Sequence, residues 1–454
     1  MGIAACDVKS TPKPDAGAVG DGAAVARWHV AGGMLVDPHG RSVILRGANV
    51  SGAHKAPPWF DFHGPDDWRR MRERWGMNAV RFLVEWAAIE PTEGQHDQAY
   101  LDAVRAHVHV AAEAGLLVVI DMHQDVYGPG FQGGNGAPRW TCDEARYAAF
   151  QPRPTWFLNY TEPNVVACYD GFWASERLQA RYVEAWRAMA RALADEPAVI
   201  GFDPMNEPYW GSLGITELEP DHLWPLYARV TEAVRGVRPD WVAFLEPAAS
   251  SNLGFATHLP RPDLPGVVYA PHSYDADAEG GAPFDAAHRA DVLARAADLR
   301  AEADARGWAL VLGEYGGSTS AGIDAYMRAE WDGAAAARAG MLYWHYGKDG
   351  GYGLLDAAGA EKAALLDVVA RPYPARVAGV PTFSFEGADT LVVTYDADAA
   401  VTAPDEIALP DRGWAGARVE CDCTVERRPG VALVTHRAGG TRRIQVDRAA
   451  ARRR

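Results

Sequence analysis

The sequence contains few cysteines, few lysines and no long run of apolar residues. Five cysteines occur among 454 residues, and none of them has the spacing of a zinc site. No apolar stretch approaches the roughly 18 residues that a membrane-spanning helix needs. Acidic residues outnumber basic residues by 60 to 44, and the formal net charge of −16 disfavours binding to phosphate backbones. We therefore expect no nucleic-acid partner.

The first 25 residues differ in composition from the rest of the chain. Residues 1–25 are rich in Ala, Gly, Pro and Asp, which predicts a flexible tether or a processed N-terminus. The motif Ile-Ala-Ala-Cys ending at Cys6 resembles a bacterial lipoprotein cleavage box, although the usual apolar segment does not precede it. We expect a secreted or cell-surface protein, with lipidation of Cys6 and a chance match as open alternatives.

The other four cysteines fall into two groups. Cys142 and Cys168 lie in one loop-like insertion rich in Gly, Pro and aromatics, where a disulfide is plausible in an exported protein. Cys421 and Cys423 are predicted to lie on the same face of one strand, so each would need another partner or stay free.

Short apolar runs alternate with amphipathic helical patterns between about residues 40 and 370. The predicted strands are 42–46, 79–83, 116–122, 199–203, 241–245, 267–271, 309–313 and 341–344. The predicted helices are 65–75, 100–114, 175–193, 221–234, 285–306, 323–339 and 362–369. Eight strands alternating with helices predict a (β/α)8 TIM barrel, an α/β fold.

The pattern changes after residue 374. Helical periodicity stops, and short strands are predicted at 382–385, 390–395, 417–425, 431–435 and 441–446. The predicted organisation is therefore a tether over 1–25, a catalytic barrel over 26–374 and a small C-terminal β-sandwich domain over 375–454.

Two glutamates follow predicted strands on opposite sides of the barrel. Glu207 follows the fourth strand and Glu314 follows the seventh, at the C-terminal ends where barrel proteins carry reactive groups. A single glutamate at such a rim is more often a salt-bridged structural residue. A facing pair is what retaining glycoside hydrolysis requires, because one carboxylate attacks the anomeric carbon while the other protonates the leaving oxygen.

The strand ends together resemble glycoside hydrolase family 5. That family carries an Arg after strand 2, a His after strand 3, Asn-Glu on strand 4, His-x-Tyr on strand 6, Glu on strand 7 and Trp on strand 8. The corresponding residues, in order, are Arg81, His123, Asn206, Glu207, His272, Tyr274, Glu314 and Trp344.

The resemblance implies roles for six of the matched residues. Glu207 would be the general acid/base and Glu314 the nucleophile, and Trp344 would be a platform for the sugar. Asn206 would hold the sugar 2-hydroxyl. Arg81 and Tyr274 would lower the pKa of the nucleophile and so keep it ionised.

A narrower resemblance points to the endoglycoceramidases. The motifs that carry it are RGANVSG at 46–52, DMHQD at 121–125, GNGAPRW at 134–140 and RPYP at 371–374. It implies cleavage of the β-linkage between the glycan and the ceramide of a glycosphingolipid. Lys55 and Asp125 would then hydrogen-bond the sugar next to ceramide. We expect no cofactor and no metal, because His123 and Asp125 lack further ligands near them in the sequence.

A glycolipid substrate requires an apolar surface beside a polar sugar pocket. Candidates for the apolar surface are Trp59, Phe60, Tyr127, Phe131, Trp140, Trp156, Phe157, Tyr209, Trp210 and Leu213. We expect transient contact with a membrane or micelle surface, and a monomer. The alternatives are a family 5 endo-β-glucanase, a β-glycosidase acting on other glycosides, and a glycan-binding barrel without catalysis.

Overall fold

The computed structural model describes residues 27–261, 264–437 and 439–449. The predicted tether and Cys6 lie outside the described residues, as does the Arg-rich C-terminus. Within the described ranges no helix has both the length and the apolar composition to cross a membrane.

Eight parallel strands close into a barrel. Each strand pairs with the next, and the eighth pairs with the first. The strands are β1 (Arg46–Val50), β2 (Ala79–Glu85), β3 (Leu117–His123), β4 (Val199–Asp203), β5 (Val242–Leu245), β6 (Val267–Tyr269, resumed at His272–Ser273), β7 (Ala309–Tyr315) and β8 (Gly340–Tyr343). The predicted (β/α)8 fold is confirmed.

The prediction of the first barrel strand at 42–46 is wrong. Ser42–Val43 pairs antiparallel with strands of an outer sheet, and β1 begins only at Arg46. The apolar side chains of Val43 and Leu45 instead pack inside the barrel with strand residues such as Val311. Strand β1 has a weak apolar pattern because some of its residues allow neighbouring strands to pack closely and others contribute polar side chains to the site. At Gly47, for example, an added Cβ would lie 1.9 Å from the carbonyl oxygen of Ala79.

The other predicted barrel elements agree with the structure to within a few residues. Ser175 and Asp97 cap the two long helices that follow them, since each side chain accepts a backbone N–H. The α-helices are Pro65–Arg69, Trp86–Ile89, Gln98–Glu113, Glu144–Ala149, Pro163–Trp173, Glu176–Ala192, Ile215–Leu218, Trp224–Arg235, Ala276–Glu279, Arg289–Arg306, Ile323–Ala336, Ala363–Val369 and the kinked Asp411–Trp414. Wider helical turns continue two of them at Arg70–Arg74 and Glu219–Leu223, and 3-10 turns occur at Ala53–Lys55, Arg139–Thr141, Trp156–Thr161, Ala249–Leu253 and Ala286–His288.

Two antiparallel sheets lie outside the barrel. The larger has the order His29–Ala31, Met34–Val36, Ser42–Val43, Tyr373–Val377, Asp405–Ala408, Val431–His436 and Cys423–Arg428. The smaller has the order Thr382–Glu386, Thr390–Ala397, Gly440–Asp447 and Arg418–Glu420. The larger sheet takes strands from both sides of residue 374. The single strand predicted over 417–425 is wrong, because the chain bends at Cys421 and continues into the other sheet.

The four described cysteines form two pairs. Cys142 and Cys168 are disulfide-bonded, with Cα atoms 5.6 Å apart, and join the turn Arg139–Thr141 to the helix Pro163–Trp173. Cys421 and Cys423 pair with each other across a bend, with Cα atoms 5.2 Å apart. The expectation that these two share one strand and need other partners is therefore wrong.

Candidate active site

Glu207 and Glu314 face each other at the C-terminal mouth of the barrel. Glu314 lies in β7, and Glu207 follows β4. One carboxylate oxygen of each residue lies within 4.8 Å of the other. Carboxyl groups about 5–5.5 Å apart are typical of retaining glycosidases, whereas inverting enzymes need roughly 6.5–9.5 Å to admit a water. The proximity of the two carboxylates is therefore compatible with a retaining pair.

Two donors hold the carboxylate of Glu314. Arg81 Nη1 donates to its Oε1 over 2.9 Å, and the hydroxyl of Tyr274 donates to its Oε2 over 2.8 Å. Burial nevertheless raises the pKa of Glu314 above its usual value, although the charges of His272 and Arg81 act in the opposite direction. The predicted contacts of Arg81 and Tyr274 are present. The expectation that the pKa of Glu314 lies below normal is wrong, because burial outweighs them.

Glu207 is held through one oxygen and through its backbone. Both His272 Nδ1, at 2.7 Å, and Asn252 Nδ2, at 2.6 Å, contact Oε1. The backbone N–H of Glu207 donates to Glu246 Oε2 over 2.8 Å. Glu207 has a φ of 40°, a left-handed conformation that costs a non-glycine residue energy and that the surrounding contacts stabilise.

Arg81 lies at the centre of a buried ring of carboxylates. Its guanidinium contacts Asp203, Glu246 and Asp121 at 2.7–3.1 Å in addition to Glu314. All of these side chains are almost completely buried. Buried charges need such compensation, so Arg81 offsets part of the negative charge of the ring and holds the carboxylate of Glu314 in place.

Asn206 is fixed on both sides of its amide. Its Oδ1 accepts from Arg81 Nη2 over 2.9 Å, and its Nδ2 donates to the carbonyl oxygen of Gln124 over 3.0 Å. The second hydrogen of Nδ2 remains available for a sugar hydroxyl, as the resemblance implies.

A second polar group lies across the mouth around Lys55. Lys55 Nζ donates to Asp125 Oδ2 over 2.6 Å and lies 4.4 Å from the ring centre of Trp344. The imidazole of His123 stacks on Trp344 with ring centres 5.4 Å apart, and its Nδ1 donates to Asp121 Oδ2 over 2.7 Å. Burial opposes ionisation of Asp125, but Lys55 and His123 outweigh it and hold its pKa well below the usual range. The site therefore offers fixed charges and an aromatic face for one sugar.

Sequence reasoning missed two residues that contact the acid/base. Glu246 directly follows β5, so the rule that selected the other strand ends could have found it. Asn252 lies seven residues beyond β5 in a 3-10 turn, and no sequence signal marks it. A third missed residue is Glu85 at the end of β2, a completely buried carboxyl whose pKa burial raises well above normal.

Three groups of described residues bring possible metal-ligating atoms within 4.8 Å of one another. They are Glu207 with His272 and Glu314, Asp121 with Asp203 and Glu246, and Asp275 with Asp277 and His288. The second group surrounds Arg81, whose guanidinium already supplies the positive charge at that point. In the first group the imidazole of His272 forms a hydrogen bond with Glu207, so a protein side chain already bridges the carboxylates.

Few of the predicted rim residues are exposed. Trp156 and Phe157 are 52% and 54% exposed, whereas Tyr127, Phe131 and Tyr209 are buried beneath the insertion. The other five candidates pack against the core and are only half-buried: Trp59, Phe60, Trp140, Trp210 and Leu213. Leu158, Leu253 and Phe255 are also exposed, and sequence reasoning did not select them.

Exposed apolar residues lie on two segments that are connected to Glu207 by packing or hydrogen bonding. Trp156 packs at 6.3 Å from Tyr160, which packs at 5.0 Å from Tyr209, two residues after Glu207. In the second segment, Leu253 is 71% exposed and directly follows Asn252, whose side chain hydrogen-bonds to Glu207. Exposed apolar side chains therefore occur on segments adjoining the loop that carries Glu207.

The fold and the carboxylate pair define the class of (β/α)8 glycoside hydrolases. The sequence model of the cellulase family, glycosyl hydrolase family 5, matches residues 36–350. The chain belongs to glycosyl hydrolase family 5.

Several relatives resemble this chain over part or all of its length. It is 31% identical to Endoglycoceramidase I of Rhodococcus hoagii over 54% of this chain and 52% of the relative. It is 30% identical to a glucosylceramidase of Cryptococcus neoformans over 43% of this chain and 34% of the relative. The chain thus spans about half or less of the length of these curated relatives. The solved endo-glycoceramidase II of Rhodococcus sp. in complex with ganglioside GM3 is 34% identical, with a TM-score of 0.83, over 92% of this chain and 99% of that chain.

Proposed function

We propose that the protein is an endoglycoceramidase, which hydrolyses the β-glycosidic bond between the oligosaccharide and the ceramide of glycosphingolipids with retention of configuration. The observation that carries this proposal is the presence of exposed apolar side chains on segments connected to Glu207. An acid protonates the leaving oxygen, so the aglycone must depart on the side of the acid. Trp156, Phe157 and Leu253 are exposed on segments that contact the loop or the side chain of Glu207, and they suit an apolar aglycone.

In the first step Glu314 attacks the anomeric carbon. A bond forms between a carboxylate oxygen of Glu314 and that carbon while the bond to the ceramide oxygen breaks. Glu207 gives its proton to the departing oxygen, so free ceramide leaves as a neutral alcohol. Tyr274 and Arg81 hold the nucleophile in place, each through one oxygen of its carboxylate.

In the second step water replaces the enzyme at the anomeric carbon. Glu207 is now ionised and removes a proton from the water as it attacks. The bond to Glu314 breaks, and the glycan is released with its original anomeric configuration. The nucleophile and the acid/base then return to their starting protonation states.

The polar group around Lys55 supports the glycan side of the proposal. Lys55 and Asp125 present a donor and an acceptor 2.6 Å apart, which suits two adjacent hydroxyls of the sugar next to ceramide. Trp344 offers an aromatic face to the apolar side of that sugar ring. Asn206 is available to the 2-hydroxyl, a contact that strengthens in the transition state.

The cellular setting belongs to the same proposal. We propose a secreted or cell-surface monomer that contacts a membrane or micelle transiently while it extracts its substrate. The disulfide between Cys142 and Cys168 supports export, because such bonds persist in oxidising compartments.

A panel of substrates tests the proposal. The protein is incubated with glucosylceramide, lactosylceramide and ganglioside vesicles, and separately with cello-oligosaccharides. The expected products are intact oligosaccharide and free ceramide, detected by mass spectrometry. Cleavage of cello-oligosaccharides alone would indicate an endo-β-glucanase, and cleavage of glucosylceramide alone would indicate a glucosylceramidase.

The assignment of the nucleophile is tested in the same assay. Glu314→Gln removes the attacking carboxylate with little change in size, so turnover should fall by more than roughly a hundredfold, because covalent catalysis lowers the barrier by several kcal/mol. Binding of the glycan, measured by calorimetry, should persist. Activity above about one hundredth of the parent level would contradict the assignment.

A further inference from the structure

The acid/base has a close neighbour that the mechanism above does not use. Asn252 Nδ2 donates to Glu207 Oε1 over 2.6 Å, the same oxygen that His272 contacts. Among the described residues, the side-chain hydrogen bonds of Glu207 all fall on Oε1. The other carboxylate oxygen, Oε2, is thus the one available to exchange a proton with the substrate.

Several hydrogen bonds hold the turn that carries Asn252 in place. The backbone N–H of Ala249 donates to the carbonyl oxygen of Pro208, the residue directly after Glu207, over 2.9 Å. Arg295 Nη2 donates to the carbonyl oxygen of Ser251 over 2.9 Å and to its hydroxyl over 2.7 Å. The N–H of Ala248 donates to Glu219 Oε1 over 2.7 Å.

These contacts make the position of Asn252 well defined. Ser251 is buried, and the turn is tied both to the loop that carries the acid/base and to the helix Arg289–Arg306. A side chain on such a turn is pre-organised, so its hydrogen bond to Glu207 costs little ordering entropy. A mobile surface asparagine would lack these anchors.

We propose that Asn252 is a positioning residue that orients the acid/base, and this inference rests on the proposed function. Its amide holds Oε1 of Glu207, and Oε2 is thereby directed to the glycosidic oxygen. An amide N–H also stabilises the carboxylate form, in which Glu207 acts as the base of the second step. Asn252 therefore serves both proton transfers without touching the bond that breaks.

The test uses the dependence of the rate on the leaving group. Fluoride departs from a β-glycosyl fluoride without general acid assistance, whereas the alkoxide of an alkyl β-glycoside requires it. For Asn252→Leu, kcat/KM for octyl β-lactoside should fall about tenfold to a hundredfold, a part of the 10²–10⁴ that general acid catalysis contributes. For β-lactosyl fluoride, kcat/KM should stay within about threefold of the parent value.

A second variant covers the case in which Asn252→Leu fails to fold. Asn252→Asp keeps the size of the side chain but replaces the donor with a carboxylate, and it should give the same pattern. Azide, which attacks the glycosyl-enzyme without needing a base, should raise kcat of either variant more than that of the parent.

A matched control comes from another asparagine. Asn164 Nδ2 contacts Glu162 Oε1 over 3.0 Å at the start of the helix Pro163–Trp173, and Asn164→Leu should leave both rates unchanged. Equal losses on the fluoride and the alkyl glycoside in Asn252→Leu would overturn the inference alone. Failure of the parent protein to cleave either substrate would overturn the proposed function, and the inference with it.

Discussion

At the scale of single residues, burial and neighbouring positive charges have opposite effects on the pKa of Glu314. Burial raises the pKa of Glu314, and the proximity of Glu207 adds to the rise, while His272 and Arg81 oppose it. The carboxylate must be ionised to attack. Activity should therefore fall as the pH drops through the pKa of Glu314.

Removal of one donor tests this balance. Tyr274→Phe deletes the hydroxyl that donates to Glu314 Oε2 over 2.8 Å, so the pKa of Glu314 should rise further. The acidic limb of kcat/KM against pH should move to higher pH by about one unit, since a hydrogen bond to a charged group contributes about 1.5–3 kcal/mol. A profile that falls uniformly at all pH values would contradict the role of Tyr274.

Lys55 is the second residue whose change should be informative. Lys55→Met keeps much of the stem but removes the charge that pairs with Asp125 and faces Trp344. We expect kcat/KM for lactosylceramide to fall by about a hundredfold, because both the direct sugar contact and the ion pair that fixes Asp125 are lost. A loss below about threefold would show that Lys55 does not contact substrate.

Single residues were predictable from the sequence where they follow a strand. Glu207 and Glu314 stand out because parallel strands end at one face of a barrel, and the structure brings them together. Asn252 was not predictable, since its contact depends on the path of a loop. The direction of the pKa shift of Glu314 was not predictable either, because burial depends on the packing of the whole mouth.

At the scale of elements, the turn Trp156–Thr161 combines exposed apolar residues with a buried attachment. Trp156 and Phe157 are about half exposed, while Tyr160 beneath them is buried against Tyr209. The turn therefore carries an apolar surface that is anchored to the loop of the acid/base.

Polar substitutions in this turn should separate two kinds of substrate. The double change Trp156→Ser and Phe157→Ser should lower the rate on lactosylceramide in vesicles at least tenfold, since each buried aromatic side chain contributes about 1.5–3 kcal/mol. The rate on soluble β-lactosyl fluoride should not change. Equal loss on both substrates would mean that the turn supports the fold and not lipid contact.

The disulfide between Cys142 and Cys168 should stabilise the same insertion. Replacement of both cysteines by serine removes a cross-link over 26 residues, which corresponds to about 3 kcal/mol of unfolding free energy in a chain-entropy estimate. The expected result is a lower denaturation midpoint in guanidinium. An unchanged midpoint would show that the insertion is ordered without the bond.

Elements were predictable where periodicity was strong. The long helices and seven of the barrel strands lie close to the predicted positions, because their apolar spacing reflects burial. Strand β1 was misplaced because its inward residue Asn49 bonds to Arg81 at 2.9 Å, and polar site residues weaken the apolar signal. The strand predicted over 417–425 failed because a bend without Gly or Pro divides it.

At the scale of the whole molecule, one sheet joins the two ends of the described chain. Ser42–Val43 pairs with Tyr373–Val377, and Arg41 pairs with Glu406 over 3.1 Å. The apolar residue Leu45, just before β1, is buried inside the barrel. The larger sheet and the barrel therefore contribute side chains to the same hydrophobic cluster.

Truncation tests this dependence. A chain ending at residue 374 loses the strands Asp405–Ala408 and Val431–His436, which leaves Tyr373 and its neighbours without their partners. We expect the truncated protein to aggregate or to lack a cooperative thermal transition in calorimetry. A soluble, active barrel of this length would show that the two parts fold independently.

The buried ring around Arg81 has a consequence for how the protein should respond to salt. Dissolved ions screen exposed charges over about 10 Å at 0.1 M but have little effect where water is excluded. The carboxylates that surround Arg81 are almost completely buried, so the chemical step on a soluble substrate should be insensitive to ionic strength. The net charge of −16 repels anionic vesicles. Any salt dependence of turnover on vesicles would then measure the approach to the lipid rather than the chemistry.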